Sequence, residues 1–304
     1  MTEALGAKGE GRGARGQLAD YLSLAKPRTL GLVVVTALAA LALAGQEPRP
    51  GLVAVTLLGG GLAAAGANAL NCYLDRDIDA LMPRTRGRPL PARRLPPRAA
   101  LLFGAALSLA GPLVLGLWAN WLAAALALAA NGYYLVVYTA WLKRATPWSI
   151  VVGGAAGAAA PLIGWAASGR EFTFLPFCLA ALVLCWTPAH FWSLALLVAE
   201  EYRAAGVPMW PVAFGERATK RWILGYAALS LLVSLLPAAV GLLGIFYLAA
   251  AVVLGAGLVA AAWMQNREAG LRWSRLTFRY SVLYLGLICL AMVVDSSAAI
   301  SAAT

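Results

Sequence analysis

The sequence predicts an all-α, polytopic membrane protein with nine transmembrane helices. Of its 304 residues, 62% are hydrophobic and only 12% are charged, and the mean hydropathy is +0.76, values outside the range of ordinary soluble domains. Apolar runs of about 20 residues recur along the chain, and each is long enough to cross a bilayer as a helix. The basic residues lie between these runs, as a membrane topology requires.

The apolar runs place the nine spans at regular intervals after a polar amino-terminal segment. We expect them at residues 28–45, 51–73, 98–117, 119–139, 147–167, 174–198, 222–239, 243–264 and 278–297. The second span is expected to continue as a helix beyond the lipid boundary, as far as Asp79. Residues 1–19 are rich in Gly, Arg and Ala and have no apolar core, so we predict a disordered basic tail (1–19) followed by one membrane domain (20–304).

The distribution of basic residues predicts the orientation of the protein. With the amino terminus in the cytoplasm, the 24 Lys and Arg residues all lie on the cytoplasmic side except Arg49 and Arg170. This asymmetry follows the positive-inside rule and places the carboxyl terminus outside. The net charge of +11 is therefore explained by membrane topology, and we expect no nucleic-acid partner.

A polar stretch at the end of the second apolar run carries the strongest functional signal. Asn71, Asp75 and Asp79 are spaced four residues apart, so on a helix they share one face, and Asn68 lies one turn earlier. Carboxylates beside an apolar membrane segment favour binding of a divalent metal. The alternative is a hydrated loop whose acids pair with its own arginines, but a random loop would not select one helix face.

Basic residues that suit a polyanion accompany this stretch. Arg84, Arg86 and Arg88 follow it directly, and arginine is well suited to phosphate oxygens. Lys143 and Arg144 end the fourth span on the same predicted side; they either reach the anion or extend to lipid headgroups. Acids followed by arginines predict a metal-bridged phosphate or diphosphate.

A second acidic cluster ends the sixth span, at Glu200, Glu201 and Tyr202. If Glu201 faces the first cluster across a cavity, its carboxylate is expected to complete a metal site, because Mg²⁺ commonly takes one or two carboxylates together with phosphate oxygens and water. The alternative is that Glu200 and Glu201 are solvated charges at a helix end, which cost little at the membrane interface.

The single histidine, His190, lies within the sixth span between Trp186 and Trp192. It precedes Glu201 by eleven residues, so the two share a helix face roughly 16 Å apart. A path along this face would suit an elongated substrate below a phosphate site. The alternative is a structural histidine whose ring nitrogens are satisfied within the protein.

Several segments resemble the membrane-embedded UbiA-type prenyltransferase superfamily and, within it, the protohaem IX farnesyltransferase branch. The segments are LAKPRT (24–29), NALNCYLDRDIDALMPRTRGRPLP (68–91), YTAWLKRATPWSIVVGGAAGAAAPLIGWAA (138–167), PAHFW (188–192) and YRAAGVPMWPVAFG (202–215). The pattern Asn71–Asp75–Asp79 is typical of the superfamily. The arginine-rich continuation, PAHFW and AAGVPM are typical of the branch. The chain departs from the branch at Val198, Glu200 and Glu201, where an arginine, a lysine and an aspartate are usual, so positions 198 and 200 lack the positive charges that would contact a diphosphate.

The resemblance implies a central cavity within the nine helices, farnesyl diphosphate as donor, Mg²⁺ as cofactor and haem B as acceptor. The implied products are haem O and pyrophosphate, with a haem A synthase as a downstream partner. The implied catalytic and metal-holding residues are Asn71, Asp75, Asp79 and Glu201. The implied substrate-binding residues are Asn68, Arg84, Arg88, Lys143, Arg144, His190 and Tyr202. The expected location is the bacterial plasma membrane rather than the mitochondrial inner membrane.

Three other functions are consistent with parts of the sequence. A transporter would place ionisable groups near the membrane midplane, whereas the acids here lie at one face. An electron-transfer protein with bis-histidine haem ligation would need a second histidine in the chain. A prenyltransferase acting on a quinone precursor or a chlorophyll-type ring differs only in its acceptor, which the resemblance alone identifies.

Overall fold

The computed structural model describes residues 14–45 and 49–303, and every regular element in these ranges is helical. The elements are α1 (Ala14–Ala25), α2 (Pro27–Leu43), α3 (Pro50–Leu74), α4 (Arg76–Leu81), α5 (Pro97–Trp118), α6 (Trp121–Gly132), a π segment (Tyr133–Leu142), α7 (Lys143–Ala145), α8 (Ser149–Ala167), α9 (Phe174–Leu197), α10 (Ala199–Ala204), α11 (Trp210–Ala239), α12 (Ile245–Arg267) and α13 (Arg272–Ala303). The predicted tail lies mostly outside the described residues, but α1 already begins at Ala14.

The described helices account for the predicted membrane spans. Eight helical stretches are long and apolar enough to cross a bilayer, with α6, the π segment and α7 forming one of them. The ninth is α1 together with α2, a pair bent by 56° at a short break, if the pair counts as one span. The all-α, multi-pass prediction is therefore confirmed.

The helices differ from the predicted spans mainly at the ends that adjoin the basic loops. The seventh span was expected at 222–239, but α11 begins at Trp210 and bends at Gly215, whose φ is 79°. The last span was expected to begin at residue 278, but α13 begins at Arg272. Hydropathy marks the part of a helix that lies in lipid, and polar turns extend the helix beyond it.

Glycines allow α3 and α5 to cross at very short range. A Cβ atom on Gly66 would lie 2.3 Å from the backbone nitrogen of Ser108, and one on Gly111 would lie 2.3 Å from that of Ala63. Small residues at such crossings let helix backbones approach closely in membranes. This contact fixes α3, and therefore the polar stretch at its end.

The small-residue helix α8 serves both packing and the cavity. A Cβ atom on Gly153 would lie 2.3 Å from the ring of Tyr138, and one on Gly164 would lie 1.9 Å from the carbonyl oxygen of Ala37. Gly157, by contrast, lines an internal cavity. Gly153 and Gly164 therefore let α8 pack closely against the π segment and α2. Gly157 leaves space for the cavity.

The cavity has a volume of about 250 Å³ and lies between α2, α3, α6 with the π segment, and α8. Its walls are mainly apolar, with Val33, Ala67 and Ile163 among the lining residues, together with Tyr134 and Asn68. Because Asn68 lies one turn before Asn71 on α3, the cavity reaches the polar stretch. An apolar chamber thus lies directly beside the buried acids.

Candidate active site

The polar stretch runs through the joint between α3 and α4. Asp75 separates the two helices, but the hydrogen bonding of a helix continues through it. The N–H of Asp75 donates to the carbonyl of Asn71 (2.9 Å), and the N–H of Asp79 donates to that of Asp75 (2.8 Å). Asn71, Asp75 and Asp79 are consequently all buried, with exposed fractions of 4%, 1% and 3%.

We call the buried face formed by Asn71, Asp75 and Asp79, with Asn68 one turn earlier, the acid stripe. Two lysines and a threonine from other elements hold its residues Asn71 and Asp75. Asn71 Nδ2 donates to Asp75 Oδ2 (2.8 Å) and to Thr139 Oγ1 (3.1 Å). Lys26 Nζ donates to Asn71 Oδ1 (2.6 Å), and Lys143 Nζ lies 2.5 Å from Asp75 Oδ2. Lys143 therefore contacts the acid stripe, as opposed to lipid headgroups.

Asp79, the last residue of the acid stripe, is bound by the arginine-rich loop. Arg88 Nη1 lies 2.6 Å from Asp79 Oδ2, and Thr85 Oγ1 donates to the carbonyl of Asp79 (2.9 Å). Burial opposes the charge of Arg88, but the charge of Asp79 outweighs it, and the pKa of Arg88 lies above its ordinary value. The loop is thus folded back over the acids.

Arg144 pairs with the aspartate that lies off the stripe. Its guanidinium donates two hydrogen bonds to Asp77 (2.6 and 2.7 Å) and one to the last carbonyl of α3, on Leu74 (2.9 Å). The hydrogen bond from Arg144 lowers the pKa of Asp77 to about 2. This pair closes the carboxyl end of α3 and leaves Asp75 for other ligands.

The second acidic cluster contacts the backbone of the arginine-rich loop. The N–H of Arg84 donates to Glu201 Oε2 (3.2 Å), and Glu200 forms an ion pair with Arg203 at the surface. Tyr202 is buried, which raises its pKa above the ordinary phenol value. Within residues 14–45 and 49–303, no group of three or more His, Cys, Asp or Glu side chains could hold a metal ion by itself.

The residues of the stripe nevertheless suit a metal that is bound together with a phosphate. Asp75 Oδ1 is buried and has no hydrogen-bond partner; the nearest recorded cation, Arg144 Nη2, is 4.0 Å away. A buried carboxylate oxygen without a partner is costly and is an appropriate ligand for Mg²⁺. With Asp79 and the amide oxygen of Asn71, it gives the few oxygen ligands that Mg²⁺ takes alongside phosphate and water.

The stripe carries more basic partners than acids. Four basic side chains contact or pair with its residues and with Asp77. They are Lys26, Arg88, Lys143 and Arg144. Arg84 and Arg86 lie exposed in the same loop. An excess of positive charge around three buried or paired aspartates favours a polyanionic ligand over a simple cation.

His190 lies away from this site. Its ring is stacked between Trp186 (centroids 4.3 Å apart) and Phe278 (4.7 Å), and its Nδ1 lies 2.7 Å from Ser281 Oγ. The cavity is lined by α2, α3, α6 with the π segment, and α8, so no residue of α9 lines it. The predicted path from Glu201 to His190 therefore does not run through this cavity, and it stays a prediction.

Three residues of the site were not predicted from the sequence. Two of them lie in the π segment, where Tyr134 lines the cavity and Thr139 accepts from Asn71; Lys143, which was predicted, follows at the start of α7 and pairs with Asp75. These positions are five and four residues apart, which suits the wider turn of a π helix, where hydrogen bonds join residues i and i+5. Lys26 is the third omission; its position beside Pro27 gave no sign of a contact with Asn71.

Comparison with known proteins identifies the family. The family model described as the UbiA prenyltransferase family matches residues 33–294. The protohaem IX farnesyltransferase of Gloeobacter violaceus is 46% identical over 281 residues, covering 92% of each chain. That of Symbiobacterium thermophilum is 47% identical over 279 residues, covering 91% of this chain and 93% of the relative.

Solved structures share the fold at lower identity. A digeranylgeranylglyceryl phosphate synthase superposes with a TM-score of 0.75 and 19% identity, covering 92% of this chain and 99% of that one. A UbiA homologue from Archaeoglobus fulgidus, bound to DMAPP and Mg²⁺, gives 0.65 and 18%, covering 90% and 99%. These structures show the shared fold, and the family model with the relatives at 46% and 47% identity shows that the chain belongs to the UbiA prenyltransferase family.

Proposed function

We propose that this prenyltransferase transfers the farnesyl group of farnesyl diphosphate to a vinyl group of haem B, forming haem O and pyrophosphate. The observation that carries this proposal is the 46% identity to the Gloeobacter protohaem IX farnesyltransferase over nine-tenths of both chains. The geometry of the site independently favours a diphosphate bearing a long apolar chain.

The diphosphate would bind where the acid stripe meets the basic residues. Asn71, Asp75 and Asp79, together with Glu201, would hold Mg²⁺, which would neutralise charge that develops on the leaving pyrophosphate. The Mg²⁺-bound homologue from Archaeoglobus fulgidus supports this assignment. The basic residues would neutralise the remaining charge. They are Arg84, Arg88 and Lys143.

The farnesyl chain would extend into the apolar cavity beside Asn68. Departure of pyrophosphate takes the electrons of the C1–oxygen bond and leaves positive charge on the allylic group. This charge must be kept from water until the acceptor arrives. The apolar walls would exclude water, and the ring of Tyr134 in the cavity offers a π face to the cation.

The acceptor step requires no protein nucleophile. The vinyl π electrons of haem B form the new carbon–carbon bond to C1 of the farnesyl group. Water then adds to the vinyl-derived cation and loses a proton, giving a hydroxyethylfarnesyl substituent. A quinone precursor or a chlorophyll-type ring remains the alternative acceptor, since the site itself recognises only the donor.

We place this reaction in a bacterial plasma membrane, with the amino terminus and the diphosphate site on the cytoplasmic side. The product would serve terminal oxidases directly, or would pass to a haem A synthase as the downstream partner. This placement follows from the distribution of basic residues and from the bacterial sources of the relatives.

Purified protein incubated with farnesyl diphosphate, Mg²⁺ and haem B provides the test. We expect mass spectrometry to detect haem O, together with pyrophosphate, and EDTA to abolish both. Prenylation of a quinone precursor without any haem product would contradict the proposed acceptor. Absence of pyrophosphate release with every acceptor would contradict the transferase assignment.

A further inference from the structure

We propose that Lys26 is a diphosphate-binding residue and that, by exchanging Asn71 for the diphosphate, it couples the α1–α2 joint to donor binding. The inference rests on the proposed function, because it takes the acid stripe to be the diphosphate site. Its support comes from the backbone of the joint, from the hydrogen bonds across it and from the charges around the Lys26 ammonium group.

The backbone at Lys26 is strained. Helix α1 ends at Ala25 and α2 begins at Pro27, and between them Lys26 adopts a left-handed conformation with φ 50° and ψ 59°. This region is unfavourable for a residue with a side chain, and it lies outside the extended conformations that a following proline favours. Such a conformation persists only where surrounding contacts impose it.

Hydrogen bonds that involve two asparagines of the acid stripe, Asn68 and Asn71, hold Lys26 in this conformation. Lys26 Nζ donates to Asn71 Oδ1 (2.6 Å). Asn68 Nδ2 donates to the carbonyl of Ala25 on one side of the joint (3.0 Å) and lies 3.3 Å from Thr29 Oγ1 on the other. Asn68, predicted as a substrate-binding residue, therefore also holds the joint in place, and both amides tie the joint to the proposed donor site.

The contact between Lys26 and Asn71 satisfies the ammonium group poorly. An ammonium group has three donors, and the hydrogen bond recorded for Lys26 Nζ in the described part of the chain goes to a neutral amide oxygen. The neighbouring Asp75 carboxylate is already paired with Lys143, while Arg88 and Lys143 add repulsion. Anionic phosphate oxygens in this place would offer Lys26 stronger acceptors than Asn71 does.

Exchange of Asn71 for the diphosphate as the partner of Lys26 would have two consequences. It would free Asn71 Oδ1 to serve as a metal ligand beside Asp75, and it would remove one of the contacts that hold Lys26 in its strained conformation. Helix α1 is also tied to the arginine-rich loop, since Asp20 pairs with Arg94 (2.9 Å). Loss of the Lys26–Asn71 contact at the joint would therefore also change the environment of α1.

Binding of inorganic pyrophosphate with Mg²⁺ to the full-length protein, measured by calorimetry, tests the first part. A hydrogen bond to a charged group contributes enough that we expect Lys26→Met to weaken binding at least about tenfold. Arg98→Met removes an exposed positive charge from the same predicted side and should leave the affinity unchanged. If Lys26→Met does not fold, Lys26→Gln replaces it. Affinity within threefold of wild type would overturn the role of Lys26 at the diphosphate.

Hydrogen exchange measured by mass spectrometry tests the coupling. The amide of Thr29 donates to the carbonyl of Lys26 across the joint (2.9 Å), so its peptide reports on this region. We expect Mg²⁺ and pyrophosphate to change exchange at the joint and in α1 of the wild type, and not in Lys26→Met. No change in the wild type would overturn the coupling.

Failure of this inference and failure of the proposed function give different results. A wild-type protein that forms haem O while Lys26→Met binds normally would refute this inference alone. Lys26-dependent binding without any prenyl transfer would refute the proposed function alone.

Discussion

At the scale of single residues, Asp75 has the most constrained environment in the site. One carboxylate oxygen accepts from Lys143 and Asn71, while the other is buried and has no hydrogen-bond partner among the described residues. Replacing Asp75 by Asn preserves size but removes the charge. We expect Asp75→Asn to lower prenyl transfer by at least about a thousandfold, because it removes both a metal ligand and the anion that positions Lys143. Steady-state transfer with farnesyl diphosphate and haem B measures this effect.

Asp77 provides the matched control, because it lies next to the stripe but pairs with Arg144 at the surface. Asp77→Asn should change transfer by less than about tenfold. The folded-state pKa of Asp77, about 2, is below the ordinary value of 3.8. The stabilisation from this pair is therefore complete above pH 3.8 and is lost as the pH falls towards 2. Loss of activity in Asp77→Asn equal to that in Asp75→Asn would contradict a specific role for the stripe.

The environment of His190 predicts an effect on stability. Its ring fills the space between Trp186 and Phe278 and is hydrogen-bonded to Ser281. We expect His190→Ala to cost on the order of 2 kcal/mol of folding free energy, because it leaves a cavity and a buried hydroxyl with one partner fewer. Thermal unfolding in detergent should show this loss, with Ser281→Ala shifted in the same direction. A selective rise in KM for haem with unchanged stability would instead place His190 in the acceptor site.

At this scale, the spacing of the site residues can be predicted from the sequence, but the residues that they contact cannot. The four-residue spacing of Asn71, Asp75 and Asp79 is a local property, so the shared helix face could be derived from the sequence. The partners of these residues could not. Lys26 and Thr139 lie 45 and 68 positions from Asn71, and such distances depend on how the helices pack, which periodicity does not encode.

At the scale of elements, the crossing of α3 and α5 determines where the site lies. We expect Gly66→Ala to destabilise the protein by about 1–3 kcal/mol, because a methyl group would meet the backbone of Ser108 and force the helices apart. The thermal unfolding temperature in detergent measures this effect. Gly61→Ala lies on the same helix, meets nothing within 4 Å, and should be neutral or slightly stabilising. Equal effects of the two substitutions would show that helix propensity, and not close approach, explains the glycines.

The π segment shows a limit of reading elements from sequence. Residues Tyr133–Leu142 form an apolar stretch that the hydropathy pattern treats as part of an ordinary α-helix. The wider turn of a π helix favours one side of the element for Tyr134 and Thr139, which are five residues apart. π helices often occur at functional sites, but their hydrogen-bond register follows from packing, here against Gly153 of α8.

At the scale of the whole molecule, composition and charge were sufficient for the architecture. Apolar runs of membrane length, with basic residues between them, gave the all-α class and eight of the nine predicted spans, because the bilayer and not particular contacts imposes both. The ninth depends on whether the bent pair of α1 and α2 crosses as one span. The cavity could not be located in this way. It depends on the small side chains with which α2, α3 and α8 face one another.

The same charge asymmetry makes a prediction about orientation. If the basic loops face the cytoplasm, an odd number of spans places the carboxyl terminus, after α13, on the outer side. Alkaline phosphatase fused after residue 304 should then be active, whereas a fusion in the basic loop between α12 and α13, after Gly270, should be inactive. Green fluorescent protein at the same two positions should give the reverse pattern. An inactive phosphatase at the carboxyl terminus would mean that α1 and α2 do not together cross the membrane, and the bent pair would then be an interfacial or re-entrant segment.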